Sequence, residues 1–546
     1  MISLNLQKGG NKRGKGLWKF NTTLLKDKDY GEIIKTVIRE SLDLYAALPY
    51  DRHNIEYIPR ESIQLNIPTQ LFLDTLLMTI RRETMKFAGD KRGRRREKEI
   101  MLEQEIADLE KNIMGSTNER IEDRVQELEK RKSELEIIRE EKIQGSIVRS
   151  RVQWYEHGER CSKYFLNLEN RNYTDKRIQK LIKDNGKVIN SEEEILNELS
   201  NYYTKLYRKT EKEGIQDWQS QIDIQKLQDS DRDNLEGYIT YEELTRAAKA
   251  MKNNKSPGSD GFPVEFFKFF WNDLGHFILR CINESYDAGE FSFTQRQGII
   301  TCLPKPEKDK QFLKNWRPIT LLNVIYKMAS SCIANRLKKV MDKIICEEQK
   351  GFIRGRYIGE NIRLLYDVIH ESNIQNIKGL LLVADFEKAF DTMSRKYILD
   401  CLDLFGFGSS LKSWVKTLMN KSSALVVQNG HLTNSFPVER GCRQGDPISP
   451  YLFVIGSDLL TRLIKGNNEI QGMKINESEY RIAQYADDTK VFLDGTEASL
   501  RATLNTFDFF QNISRLKVNL EKTRSGATGS SCHISAIGQN YHVVIT

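Results

Sequence analysis

Two stretches of the chain hold carboxylates placed to act together. Residues 481–493, Arg-Ile-Ala-Gln-Tyr-Ala-Asp-Asp-Thr-Lys-Val-Phe-Leu, set Asp487 and Asp488 side by side among apolar and aromatic neighbours. Aspartates are common at turns, and that is the ordinary reading of such a pair. Adjacent like charges repel, however, and a divalent cation removes the objection. Residues 379–391, Gly-Leu-Leu-Leu-Val-Ala-Asp-Phe-Glu-Lys-Ala-Phe-Asp, bring a third carboxylate, Asp385, to the end of an apolar run. Hard oxygen donors without a nearby His or Cys favour Mg²⁺, with Mn²⁺ as its substitute. Two such ions, about 3.5–4 Å apart, can activate a 3′-hydroxyl and stabilise a leaving pyrophosphate.

The elements that would position these groups are short strands. Apolar residues on both sides of Asp487 and Asp488 predict a β-hairpin with the acidic pair at its tip. Leu380–Val383 predicts a buried strand that ends at Asp385. Side by side in one sheet, they would bring Asp385 to Asp487 at one edge. The two stretches resemble motifs A and C of a reverse transcriptase palm.

Composition sets the frame. With 546 residues the chain is long enough for several domains and a large core. A formal charge of +8 and a pI near 8.8 suit a nucleic-acid partner, though many proteins share that balance. The eight cysteines are scattered without a Cys-x-x-Cys pair, which argues against a zinc site and a disulfide framework and for a reducing compartment. No apolar run is long enough to span a bilayer, and no signal-peptide core opens the chain.

Residues 31–175 read as almost wholly helical. Leu102, Ile106, Leu109 and Ile113, then Ile121, Val125, Leu128 and Leu135, predict an antiparallel hairpin or coiled coil over about residues 97–145. Lys91-Arg-Gly-Arg-Arg-Arg96 is either a nuclear address or a phosphate-binding patch, with a solvated face as the plain alternative. Residues 152–172 interleave aromatics and cations, including Trp154 and Lys163, a pattern equally suited to stacking on bases and to packing a core. Residues 183–240 read as a helical connector with a hairpin turn at 184–186. Thr240-Tyr-Glu-Glu predicts a capped helix start, followed by a Pro/Gly loop at 255–263.

The resemblance extends along the chain in order. Residues 11–25, around Trp18, resemble the junction after the endonuclease of LINE-type (non-LTR) retrotransposon proteins, and residues 150–175 resemble the segment preceding their polymerase. The loop at 255–263 resembles a finger-tip loop that touches template. In this family the strand at 298–306 with Lys305, and Asn315–Asn323 with Arg317, match the fingers that bind the triphosphate, a task suited to a point charge and a bidentate fork. Gln349–Arg356 resembles a template-contacting segment, with Gln349 and Arg356 as its contacts. In motif A, Phe390 would clash with a 2′-hydroxyl and so prefer deoxynucleotides, while Asp391 is not counted as a ligand. Arg440–Phe453 resembles motif B, with Gln444 and Gly445 lining the nascent base pair. Leu516–Thr523 resembles motif D, with Lys522 as the general acid for pyrophosphate. The family more often has glycine where Arg515 stands.

The resemblance therefore implies an α+β right-hand polymerase of fingers and palm behind a long helical, basic extension. The expected divisions are 1–25 as endonuclease remnant and linker, 26–240 as extension, 241–378 as fingers, 379–525 as palm and 526–546 as a divergent tail. It implies an RNA-directed DNA polymerase in which Asp385, Asp487 and Asp488 hold two Mg²⁺, with an RNA template, a DNA primer and dNTPs as partners and no membrane. A nuclear ribonucleoprotein is the expected location; oligomeric state is not specified. The chain reads as a fragment lacking the endonuclease and thumb. A palm kept only for RNA binding, and a group II intron maturase, are the alternatives.

Overall fold

The computed structural model describes residues 14–47, 60–114, 121–150, 177–209, 218–222, 224–519, 523–528, 536–538 and 541–543. The two main sheets are built chiefly by seven strands, β1 (Gln297–Pro304), β2 (Trp316–Leu321), β3 (Gly379–Ala384), β4 (Ser423–Gln428), β5 (Ile482–Tyr485), β6 (Asp488–Leu493) and β7 (Arg524–Thr528), with two-residue strands His431–Leu432 and Phe436–Pro437 added beside β4. The palm-like sheet is antiparallel with the order β5-β6-β3-β7. Its central strand explains its own sequence. Leu380, Leu382 and Ala384 face the main core, while Leu381 packs with Phe492 against a smaller cluster around Val368 and Met473. A strand covered on both faces has no reason to alternate, hence the continuous apolar run.

The helices include α1 (Lys28–Tyr45), α2 (Thr69–Met114), α3 (Ile121–Ser150), α4 (Glu192–Tyr207), α5 (Ile358–Ile374), α6 (Ser449–Gly466) and α7 (Glu497–Ser514), with others between them, among them Trp271–Asp287 and Val324–Leu337. α6 and α7 give Leu452, Phe453, Leu500, Phe507 and Phe510 to the core beneath the palm-like sheet. Thr496 caps α7 by accepting from the Ser499 amide. α2 and α3 run antiparallel, Leu102 meeting Leu135 and Ile138, with exposed pairs such as Arg139–Glu103 and Lys132–Glu110 along the seam.

Three expected divisions do not match the packing. Residues 14–26 are no linker: Phe20 and Leu24 are buried in the main core, and Trp18 meets Phe262 edge-on at 5.2 Å. The loop at 255–263 lies under that aromatic cluster. The Phe20 amide donates to the Gly261 carbonyl, and Asn323 holds Ser259 and Asp260. Its inner half is therefore a structural wedge. The fingers and palm are also interleaved. β4, inside the expected palm, pairs in parallel with β1 of the fingers, giving the order β2-β1-β4. A contiguous cut at 378 misses this because the parallel partner of β4 lies far upstream, Gln297 facing Ser423, where no local signal points, even though its other edge pairs locally with 431–432 and 436–437. Finally, the expected palm end at 525 falls inside β7, which pairs with β3 from Val383 to Gly379.

α4 was expected in a connector, yet it packs on the finger sheet. Ile195, Leu199, Tyr203 and Leu206 form one helical stripe against Ile300, Cys302, Trp316 and Val426. The turn before it is as expected, with Leu181–Ile182 paired to Val188–Ile189 around Gly186 at φ +81°.

Gly261 combines φ +83° with a Cβ position only 2.3 Å from the Trp18 ring, whereas Gly289 has φ +70° and open space around it. Gly261→Ala should cost about 2–4 kcal/mol and Gly289→Ala about 1–2 kcal/mol. Paired thermal denaturation would check this; equal losses would show that the wedge is not tight.

Candidate active site

The hairpin expected at 481–493 is present, but its tip is Ala486–Asp487 and not the Asp487–Asp488 pair, because Asp488 already pairs with Tyr485 as the first residue of β6, and the turn is under strain. Tyr485 pairs with Asp488, so Ala486 and Asp487 form a two-residue loop. Ala486 has φ +56°, while Asp487 is not left-handed, the pattern of a II′ turn whose first central position usually holds glycine. An alanine there costs about 1–2 kcal/mol. Gln349, fully buried, offsets that strain. Its Oε1 accepts from the amides of Ala486 and Gly351, both at 2.8 Å, and its Nε2 donates to the Ala486 carbonyl at 3.3 Å. The same segment runs alongside β5: the Gln484 amide donates to Glu348, and Lys350 donates to Gln484.

Two expected nucleic-acid contacts are corrected by this arrangement. Gln349 has no amide group left to reach a template. Arg356 spends its guanidinium on the carbonyls of Cys346, Gln349, Ile345 and Asp342, closing the loop that carries Gln349. Both residues hold the hairpin from behind. Trp154, Lys163 and Lys522 lie outside the described residues.

Asp385 stands one residue past β3. With Thr489 opposite Ala384, the register sets Asp488 level with Asp385, and Asp487 at the turn just beyond. Motifs A and C thus reach one sheet edge. Asn519, overlooked in the sequence, flanks Asp385: its amide donates to the Asp385 carbonyl at 2.7 Å and its Nδ2 to Oδ2 at 3.3 Å. The only hint was its place in the motif D stretch. No group of three or more His, Cys, Asp or Glu side chains among the described residues is gathered to hold a metal ion. The expected set of three is therefore not assembled as one cage. Asp487 lies in the loop while Asp488 opens β6 and is exposed. The donor set at the edge remains all carboxylate and suits a hard divalent ion.

The stretch expected to border the nucleotide, Arg440–Phe453, packs against β2. Thr320 of β2 donates its amide to the Gln444 carbonyl, and a Cβ on Gly445, which has φ +106°, would lie 2.6 Å from the Thr320 carbonyl. Gly441 likewise admits the Asp391 carbonyl, 2.5 Å from where its Cβ would be. These glycines let backbone approach backbone. Phe390 stacks on Phe453 of α6, with ring centroids 4.4 Å apart. Asp391 beneath it is buried, accepting from the Tyr207 hydroxyl at 2.8 Å and from Gln444 Nε2 at 3.1 Å. Burial pushes its carboxyl up to about 6, against the lowering pull of these donors and of Lys388.

Arg317 on β2 pairs with Leu303, and the Lys305 amide donates to Asn315, so the ladder puts Arg317 and Lys305 on one face of the ribbon. Arg317 is exposed; the Lys305 ammonium donates to the Lys314 carbonyl. Arg515, where glycine is more usual, ends α7 at φ +67°, so the left-handed turn is kept without glycine.

A sheet edge with aspartates from a strand end and a neighbouring hairpin is palm-like. Residues 303–534 match the family described as "Reverse transcriptase (RNA-dependent DNA polymerase)". Those residues carry a reverse transcriptase domain, and the proteins the chain resembles include those of retrotransposable elements. It is 29% identical to the transposon TX1 uncharacterized 149 kDa protein of Xenopus laevis, over 80% of this chain and 33% of the relative. It is 28% identical to the retrovirus-related Pol polyprotein from the type-1 retrotransposable element R2 of Popillia japonica, over 54% of this chain and 40% of the relative. The RNA-directed DNA polymerase from mobile element jockey of Drosophila melanogaster is 24% identical over 55% of this chain and 33% of that protein. The chain thus spans between about a third and two fifths of the lengths of these relatives.

Two outcomes follow from the geometry. Gln349→Leu strands the Ala486 and Gly351 amides, each worth about 1–3 kcal/mol when unpaired. Hydrogen exchange at both amides should accelerate together; protection equal to wild type would show that other groups hold the turn. For Asp391, the folded carboxyl ionises at higher pH than the unfolded one. Its contribution to stability is therefore complete below about pH 4 and lost as pH rises through about 6. Asp391→Asn removes that dependence, so the stability difference should move in the variant's favour between pH 4 and 6 and level off above. A difference that is flat with pH would contradict the assignment.

Proposed function

We propose that this chain is an RNA-directed DNA polymerase of the non-LTR retrotransposon class, adding deoxynucleotides to a primer 3′-hydroxyl on an RNA template. One observation carries the reading: Asp385 and the Ala486–Asp487 turn, about a hundred residues apart in sequence, share one sheet edge. Asp385 and Asp487 would hold divalent ions, Mg²⁺ with Mn²⁺ as substitute, and Asp488 adds negative charge beside them. Bound there, such ions supply Lewis acidity to the α-phosphate and lower the pKa of the primer hydroxyl.

The protein groups do the rest. Arg317 and Lys305 bind the triphosphate from one face of the β1–β2 ribbon. Phe390, braced by Phe453, closes the space that a 2′-hydroxyl would need and offers it no hydrogen bond. Gln444 and Gly445 border the nascent pair, and Lys522 returns a proton to pyrophosphate. The pair α2 and α3 is read as a short coiled coil, and the block at 91–96 together with residues 152–172 as a surface for the element RNA in a nuclear ribonucleoprotein.

Primer extension on an RNA template with dNTPs and Mg²⁺ tests this. Asp385→Ala and Asp487→Ala should each lower kcat by at least about a thousandfold, with primer–template affinity retained. Wild-type protein that binds RNA yet adds no nucleotide would instead make the chain an RNA-binding scaffold.

A further inference from the structure

A buried polar chain runs from the N-terminal helix α4 to the nucleotide side of the site. The Tyr207 hydroxyl donates to Asp391 Oδ1 and Gln444 Nε2 donates to Oδ2. Tyr207 is 3% exposed and Asp391 1% exposed, so water does not compete for these bonds. The end of α4 is also stitched to the segment entering motif B. Arg440 donates to the Leu206 carbonyl at 2.6 Å, Glu439 to the Tyr207 carbonyl at 3.0 Å, and the Lys209 amide to the Glu439 carboxylate at 2.8 Å. One turn earlier, Lys388 of the motif A turn donates to the Tyr202 hydroxyl at 2.6 Å. The helix therefore holds motifs A and B together from outside residues 303–534.

The chemistry of Asp391 makes this directional. An ionised carboxylate only accepts hydrogen bonds, so Gln444 must turn its amino group toward Asp391 and its carbonyl oxygen away. We propose that Asp391 and Tyr207 are positioning residues for nucleotide selection, fixing the Gln444 amide with its amino group on Asp391 so that the carbonyl oxygen is the group it turns to the incoming deoxynucleotide. Tyr207 keeps the carboxylate from turning by occupying its other oxygen. The reverse transcriptase site is then incomplete without α4, which lies more than ninety residues before the matched domain.

The inference rests on the polymerase reading, and steady-state primer extension with the 546-residue chain separates the two. Tyr207→Phe keeps ring and packing but loses the donor; Asp391→Asn allows Gln444 to flip, since an Asn side chain can donate. Each should raise KM for the dNTP roughly tenfold with kcat changed less than about threefold. The thermal midpoint of Tyr207→Phe provides the check on folding. Because the effect runs through Gln444, adding Tyr207→Phe to Gln444→Ala should raise KM no further. A full additional increase in the double variant, or unchanged KM in Tyr207→Phe, overturns the inference alone. Wild-type protein that binds primer–template and adds no nucleotide overturns the polymerase reading and this inference with it.

Discussion

The site depends on a turn that the backbone does not favour. Ala486 is held in a left-handed conformation, and the free energy comes from Gln349, whose amide works as a substitute strand partner for a residue that has none in the sheet. Arg356 then fixes the loop carrying Gln349 by gathering four carbonyls. Remove that support and Asp487 loses its direction relative to Asp385, although neither aspartate has been touched. Preorganised charge is worth most when the scaffold behind it cannot relax.

A second dependence runs through the core. The aromatic cluster of Trp18, Phe20, Phe262 and Phe266 joins the first described residues to the fingers. The same core continues beneath the palm-like sheet to Val518. With α4 sewn to the segments at 388–391 and 439–444 as well, Phe20, Leu24, the N-terminal part of α2 and α4 are packed into the same cores as the fingers and the palm-like sheet. Arg336 gives another instance: its buried guanidinium joins Glu243 to the carbonyls of 235–238, tying the start of the fingers to the helix Val324–Leu337.

Much of the site was legible because its motifs are local. A two-residue hairpin tip, an apolar run ending in Asp385, and glycines at 441 and 445 carry their signals within a few residues. The capped helix start at Thr240 was legible for the same reason, and its capping box with Glu243 is present. What was not legible is what the supporting side chains touch. Gln349 and Arg356 carry polar groups in a Gly-rich segment, which reads as surface, and only their burial reveals that they brace the hairpin. Asn519 and Tyr207 had no signal of their own, since their partners lie 134 and 184 residues away.

By itself, then, the sequence determined the kind of chemistry and the short elements that bear it: hydrogen-bonding periodicity, turn residues and carboxylate type act over a few positions, and the order of motifs is written along the chain. Tertiary structure alone decided the company those elements keep. It placed β4 beside β1, put β7 at the edge of the palm-like sheet, and brought α4 to Asp391. Such pairings are settled by which surfaces can be buried together and which backbone groups still need partners, and those are properties of the folded whole.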